Sequence, residues 1–347
     1  MGGATRDAYG KTLVELGEEN PDIVVLDADL SESTRTKKFA EKFPERFFNM
    51  GIAEAHMVST AAGLASCGKI PFISSFAVFM MCKGFDQLRM CVAYPGLNVK
   101  VVASHGGISI GEDGPSQQSV EDLALACALA GFRVAAPADP WATRCLVRQA
   151  AEIRGPVYIR VGRPPAPILY SDKDKIEFGR ATVHGLGRDV TVLTNGLLVA
   201  EALKASDLAR QEGLDLGVVD VHTLKPLDVE KVEEAARASG ALVVAEEHLL
   251  AGGLCSQVAM AAANSRPVPI EFVGLQDTYA ESGKPMELLE KYGLTAASIL
   301  RAAERAAQRK DAGRPRRLNR APGDKRRLSP PNARPRRGRA LRPAKQP

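Results

Sequence analysis

The chain has 347 residues, 45% hydrophobic and 25% charged, which fits a folded globular protein of two or three domains and excludes a disordered or fibrous one. Its formal charge of +5 is unevenly placed. Residues 311–347 hold 13 of the 46 Lys and Arg but only 2 of the 41 Asp and Glu, so the rest of the chain is acidic, 33 against 39.

No run approaches the roughly eighteen apolar residues of a membrane span. The opening MGGATRDAYGKTLVEL lacks the basic-then-apolar order of a secretory signal, so a cytoplasmic protein is expected. Cys67, Cys82, Cys91, Cys127, Cys145 and Cys255 include no CxxC pair. They read as reduced thiols buried as small apolar residues.

In chain order, DIVVLDAD (22–29), IPFISSF (70–76), NVKVVASH (98–105), FRVAAPAD (132–139) and GPVYIRVG (155–162) are short β-rich runs bounded by Gly, Pro or acids, hence strands. AEAHMVSTAAGLAS, MCKGFDQLRMCVA, SVEDLALACALA and PWATRCLVRQAAEI lie between them with helical spacing. Apolar strands separated by helices predict a parallel α/β sheet covered on both faces.

RPPAPILYSDKDKIEFG (163–179) breaks the pattern. A second α/β set follows. DVTVLTNG, LDLGVVDVHTLKPLD, ALVVAEEH and PIEFVGL carry strands, the second followed by a loop. LVAEALKASDLARQEG, VEKVEEAARASG, GGLCSQVAMAAANS and TAASILRAAERAAQRK are helices, the first closed by Gly213. This predicts a domain over 1–165, a linker over 166–177, a smaller α/β domain over 178–310 and a tail over 311–347. The tail is basic, rich in proline and poor in large apolar residues, so disorder is expected. Its plain reading is a solvated tail; the functional one is weak contact with nucleic acid or an anionic surface.

Several familiar signatures are absent. There is no GxGxxG, no GxxxxGK[ST] and no HExxH. Dehydrogenase, kinase and HExxH-type hydrolase readings lose their usual support.

Glu54 stands in GIAEAHMVSTAAGLA at a predicted helix start, where an acid suits the helix dipole. A buried carboxylate there could also hydrogen-bond a heterocycle nitrogen and change its protonation state. GISIGEDGPSQQSVED sets Gly107, Gly111 and Gly114 around Glu112 and Asp113, directly after a strand. It reads either as a tight turn before a helix, with Ser119 as N-cap and Asp122 as capping-box partner, or as a substrate loop at a strand's carboxyl end. Phe76 and Phe79 are three apart, a spacing that serves a core or a cofactor shelf. Arg35 and Arg163, read at or after strand ends, could together clamp a phosphate.

In order, DADLSESTR, NMGIAEAHMVSTAAGLA, PFISSFAVF, SHGGISIGEDGPSQQSVED and PVYIRVGR resemble the transketolase family over about residues 5–310. The resemblance is closer to the C-terminal subunit of a split, two-chain enzyme. It implies a thiamine-diphosphate pyrimidine-binding domain followed by a smaller α/β transketolase C-terminal domain. It also implies thiamine diphosphate with Mg2+, and transfer of a two-carbon ketol unit from a ketose phosphate to an aldose phosphate through a cofactor carbanion.

By the same resemblance, Glu54 bonds N1′ of the aminopyrimidine and favours the tautomer that deprotonates the thiazolium. Phe79, with Phe76 beside it, packs on the pyrimidine. Asp113 contacts a sugar hydroxyl, and His105 lies near the donor phosphate. Arg163 and Arg35 match phosphate-binding arginines. Gln117 replaces a usual histidine that contacts substrate hydroxyls, and Cys82 replaces a common aromatic, which touches sugar specificity more than the cofactor. The family's GDG segment with its following Asn does not occur in these residues, so the resemblance implies that a partner N-terminal subunit holds the diphosphate and metal, in an α2β2 assembly. Rival readings are the β subunit of a 2-oxoacid dehydrogenase, a deoxyxylulose-phosphate synthase-like chain, and a non-enzymatic scaffold with an anion-binding tail.

Overall fold

Each apolar run marked as a strand is paired in one of two sheets of the computed structural model, which describes residues 2–313. The first sheet uses β1 (Ile23–Asp27), β2 (Phe47–Asn49), β3 (Ile70–Ser74), β4 (Lys100–Ala103), β5 (Arg133–Ala135) and β6 (Val157–Arg160). The second uses β7 (Thr182–Gly185), β8 (Val190–Thr194), β9 (Leu216–Asp220), β11 (Leu242–Leu249) and β12 (Ile270–Leu275). The short β10 (Thr223–Lys225) comes from the second half of the chain yet joins the first sheet.

The first sheet runs β10-β5-β6-β4-β3-β1-β2, parallel except for β10, which is antiparallel to β5. The second runs β12-β11-β8-β9-β7, parallel except for β7 against β9. β1, β4 and β6 are buried along their whole length, as strands covered on both faces must be.

The helices are α1 (Thr5–Glu19), α2 (Ser31–Thr34), α3 (Lys37–Lys42), α4 (Glu54–Ser66), α5 (Ala77–Lys83), α6 (Phe85–Gln87), α7 (Asp122–Ala128), α8 (Pro140–Glu152), α9 (Leu198–Gln211), α10 (Val229–Ser239), α11 (Leu254–Ser265), α12 (Pro285–Lys291) and α13 (Ala296–Gly313). α8 shows why such boundaries form: Asp139 caps it by accepting from Ala142 N, and Pro140 needs no amide partner at the first turn. One core layer joins Tyr9 and Leu13 of α1 with Leu146 of α8 under Val25, Phe72 and Ile159. Another runs without a break from Met57, Ile73 and Met80 to Leu193, Val244 and Leu254. Because that apolar layer spans both sheets, residues up to Gly313 form one compact unit.

Four expectations need correction. The run MCKGFDQLRMCVA is not one helix: α5 stops at Gly84, whose hypothetical Cβ would lie 2.8 Å from Met80 O, and α6 passes into a π-turn over Leu88–Ala93. The loop expected after β9 contains β10. Of the cysteines only Cys255 is fully buried, while Cys67 and Cys82 are exposed and all six are free. α13 continues to Gly313, into the segment assigned to the tail, and the rest of that segment lies outside the described residues. Among the described residues no helix is long and apolar enough to cross a membrane.

Candidate active site

The carboxyl ends of the parallel strands in the first sheet all open toward one edge, where an open α/β sheet gathers ligands. The segment after β1 carries Arg35, and the one after β2 leads to Glu54. The segments after β3, β4 and β6 carry Phe76, the 104–121 loop and Arg163. Five chain-distant segments thus meet because the sheet is parallel.

Gly51 turns the chain at φ +67, and α4 begins with Glu54 itself. Its carboxylate is only 3% exposed, so nearby protein and any bound ligand, rather than water, surround it. Lys83 Nζ stands 4.0 Å from Glu54 Oε2 and 4.6 Å from the centre of the Phe79 ring. One ammonium therefore neighbours both the carboxylate and the aromatic pair. Phe76 and Phe79 stack with centroids 5.5 Å apart and 14° between planes. Phe76 is buried and Phe79 half-buried, so the pair is part core and part exposed shelf.

Phe76 also stacks on His105, at 3.8 Å and 25°. His105 takes a left-handed φ of +61, unusual for a residue with a side chain. Ser104 Oγ lies 2.7 Å from its Nδ1, and Arg6 Nη1 lies 3.2 Å from its Nε2. Burial, then the charges of Arg6, Arg163 and Arg35, push the imidazole pKa down to about 3, so it is neutral near pH 7.

Arg6, on the first turn of α1, is a site residue that the sequence reading missed. It also donates to Ser33 O at 2.9 Å, and its buried Nε has no partner. Burial first, then the neighbouring Arg35, lowers its pKa. No spacing rule singles out one arginine in ATRDAYGK; only the fold brings it to His105. Arg35 lies in the segment after β1, where it caps the end of α2 at φ +71. Its Nε donates to Asp7 Oδ1 at 2.6 Å and its Nη1 to Glu32 O at 3.0 Å. Arg163 Nη1 donates to Ile110 O and faces Glu112 Oε2 at 3.3 Å and Asp113 Oδ1 at 3.6 Å. Asp113 is exposed and Gln117 half-exposed on the same loop.

Gly107, Gly111 and Gly114 take φ of +85, +86 and +78, the left-handed turns that only glycine adopts cheaply. The capping box is not formed. α7 starts at Asp122 after Glu121, with no side-chain cap, and Ser119 Oγ is buried without a partner. Asp122 turns inward instead: Tyr158 Oη donates to its Oδ2 at 2.6 Å, and Arg160 Nε lies 3.4 Å from the same oxygen. A buried guanidinium on β6 outcompetes a local cap because an unpaired buried charge costs more than a lost cap.

The chain matches the family described as "Transketolase, pyrimidine binding domain" over residues 2–167 and "Transketolase, C-terminal domain" over 179–299. A transketolase C-terminal section of Methanocaldococcus jannaschii is 42% identical over 297 residues, covering 85% of this chain and 93% of that protein. The chain belongs to the transketolase family. The 6-deoxy-6-sulfo-D-fructose transketolase subunit SqwH of Clostridium sp. (strain MSTE9) is 41% identical over 306 residues, 88% of this chain and 95% of that one. A solved structure described as a split gene transketolase, inactive beta4 tetramer, superposes with a TM-score of 0.82 at 50% identity, covering 89% of this chain and all of that one. The fold, a transketolase pyrimidine-binding domain followed by the C-terminal domain on two largely parallel sheets, is the expected one.

Proposed function

We propose that the chain is the C-terminal subunit of a cytoplasmic transketolase that moves a two-carbon ketol unit from a ketose phosphate to an aldose phosphate. It shares thiamine diphosphate and Mg2+ with an N-terminal subunit in an α2β2 assembly. The observation that carries this reading is the buried Glu54 carboxylate beside the Phe76–Phe79 pair, on the sheet edge that also presents Arg6, His105, Asp113 and Arg163.

The residues present fit the pyrimidine half of the cofactor. A carboxylate with little solvent, faced by Lys83 at 4.0 Å, suits a ring nitrogen, and a half-exposed Phe79 suits a ring face. The cofactor, when bound, supplies the electron sink for breaking and forming a bond next to a carbonyl. Glu54 would then share a proton with N1′ and set its tautomer. Arg6 and Arg163 would hold the sugar phosphate, with Arg35 adding field. Neutral His105 would exchange a hydrogen bond with the donor, and Asp113 and Gln117 would meet sugar hydroxyls. Among the described residues no three His, Cys, Asp or Glu side chains gather as a metal site. Diphosphate and cation are assigned to the partner. In domain terms, 1–165 would bind pyrimidine, 166–177 link, 178–310 form the C-terminal domain and 311–347 the tail.

The test is transfer by the full chain mixed with an N-terminal subunit carrying a diphosphate-binding domain, with xylulose 5-phosphate as donor and ribose 5-phosphate as acceptor. Activity that needs both chains and thiamine diphosphate supports the reading. Activity from either chain alone, or none from the mixture, overturns it.

A further inference from the structure

We infer that Glu247, on β11 of the second sheet, is a positioning residue for the transfer reaction: its carboxylate seats the 106–119 loop and through it sets Asp113 and Arg163. This rests on the functional reading above.

Glu247 is 7% exposed, and its carboxylate lies against the loop at Gly107 and Ser109. Its Oε1 accepts from Ser109 N at 2.6 Å. A Cβ on Gly107 would lie 2.2 Å from the Glu247 carboxyl carbon, so the carboxylate occupies the space that a missing side chain leaves. Gly106 is filled likewise, its hypothetical Cβ falling 1.9 Å from Arg160 Nε. Arg160 ties the arrangement together: Nη1 donates to Glu247 O and Nη2 to Ser119 O, both at 2.9 Å. Gly107 N in turn donates to Ser119 O at 2.6 Å, which closes the loop's base.

The far side of the loop also rests on the second half of the chain. Gln118 Nε2 donates to Glu281 O at 3.0 Å. Hypothetical Cβ atoms on Gly111 and Gly114 would fall 2.9 Å from Pro285 and 2.4 Å from Ser282 Oγ. Between these two supports lie Ile110, whose carbonyl accepts from Arg163, and Asp113, 3.6 Å from the same guanidinium. A shift at Glu247 therefore moves the groups read as sugar and phosphate contacts, while Glu54 and the Phe76–Phe79 pair stand on other segments. The feature under test is reach to Ser109 N.

Two variants separate reach from charge. Glu247→Asp keeps the charge but withdraws it by one methylene; Glu247→Gln loses the charge but keeps an acceptor at full reach. In the full chain, amide exchange over 106–112 is expected to quicken about tenfold in Glu247→Asp and to stay within about twofold of wild type in Glu247→Gln. In the assembled enzyme, Glu247→Asp is expected to raise the KM for xylulose 5-phosphate about tenfold, with the thiamine diphosphate dependence unchanged, and Glu247→Gln restores it. Three results overturn the inference: wild-type exchange and KM in Glu247→Asp, a joint loss of cofactor and donor affinity, or a Glu247→Gln worse than Glu247→Asp. A wild-type assembly without any transfer refutes the functional reading instead, and amide exchange still decides whether Glu247 holds the loop.

Discussion

Arg6 Nη1 lies 3.2 Å from His105 Nε2 and donates to Ser33 O at 2.9 Å, so one guanidinium on α1 joins the segments that follow β1 and β4. Its Nε remains buried and unpaired, which is costly unless a ligand completes it. Arg6→Ala is expected to raise the KM for a phosphorylated ketose about ten- to hundredfold, the worth of a charge-assisted hydrogen bond. The KM for the unphosphorylated ketose should stay unchanged. Steady-state kinetics with both donors checks this, and equal losses for the two contradict it.

Glu54→Gln removes the carboxylate from the buried head of α4 but keeps its shape. Turnover of the assembled enzyme is expected to fall about a hundredfold or more, the usual weight of a proton-transfer group, with melting little changed. Full activity in this variant rules out the assigned role.

His105 links the site to acid stability. Its folded pKa, about 3, lies below the ordinary 6.5, so between those values the unfolded chain binds the extra proton. Folding stability therefore falls as pH drops from about 6.5 toward about 3, and above that window this contribution is fully present with no further slope from this group. His222, held near 4 by burial, adds a slope of the same sign. His105→Asn should lose less stability than wild type between about pH 7 and pH 4.5, read from urea midpoints at both values. Equal losses contradict the assignment.

Tyr158 Oη donates to Asp122 Oδ2 at 2.6 Å in a fully buried setting. Tyr158→Phe leaves that oxygen with Arg160 alone and is expected to cost about 1–3 kcal/mol in denaturant unfolding. A cost below about 0.5 kcal/mol would show that the pair is not coupled as described.

The sequence makes the fold legible where local pattern and tertiary demand agree. Apolar runs such as IVVLD and VYIR announce buried parallel strands because both faces must be covered. The glycines of GISIGEDGP announce left-handed turns, and each is found. Thr223–Lys225 gives no such signal, since a short antiparallel edge strand is specified by the neighbour it meets rather than by its own residues. Ser119 and Asp122 mislead for the same reason: a local cap competes with Arg160, which lies far along the chain. Glu54, His105, Asp113 and Arg163 are visible through motif order, whereas Arg6 and Glu247 become visible only through the distances that the fold creates.

The central claim is that Glu54 and its surroundings are half of a cofactor site, and calorimetric titration with thiamine diphosphate and Mg2+ tests it most directly. The titration is run on the full chain alone and on its mixture with an N-terminal subunit carrying the diphosphate-binding domain. Heat of binding in the mixture and none with the chain alone is the predicted result. Tight binding to the chain alone, or no binding in the mixture, contradicts it.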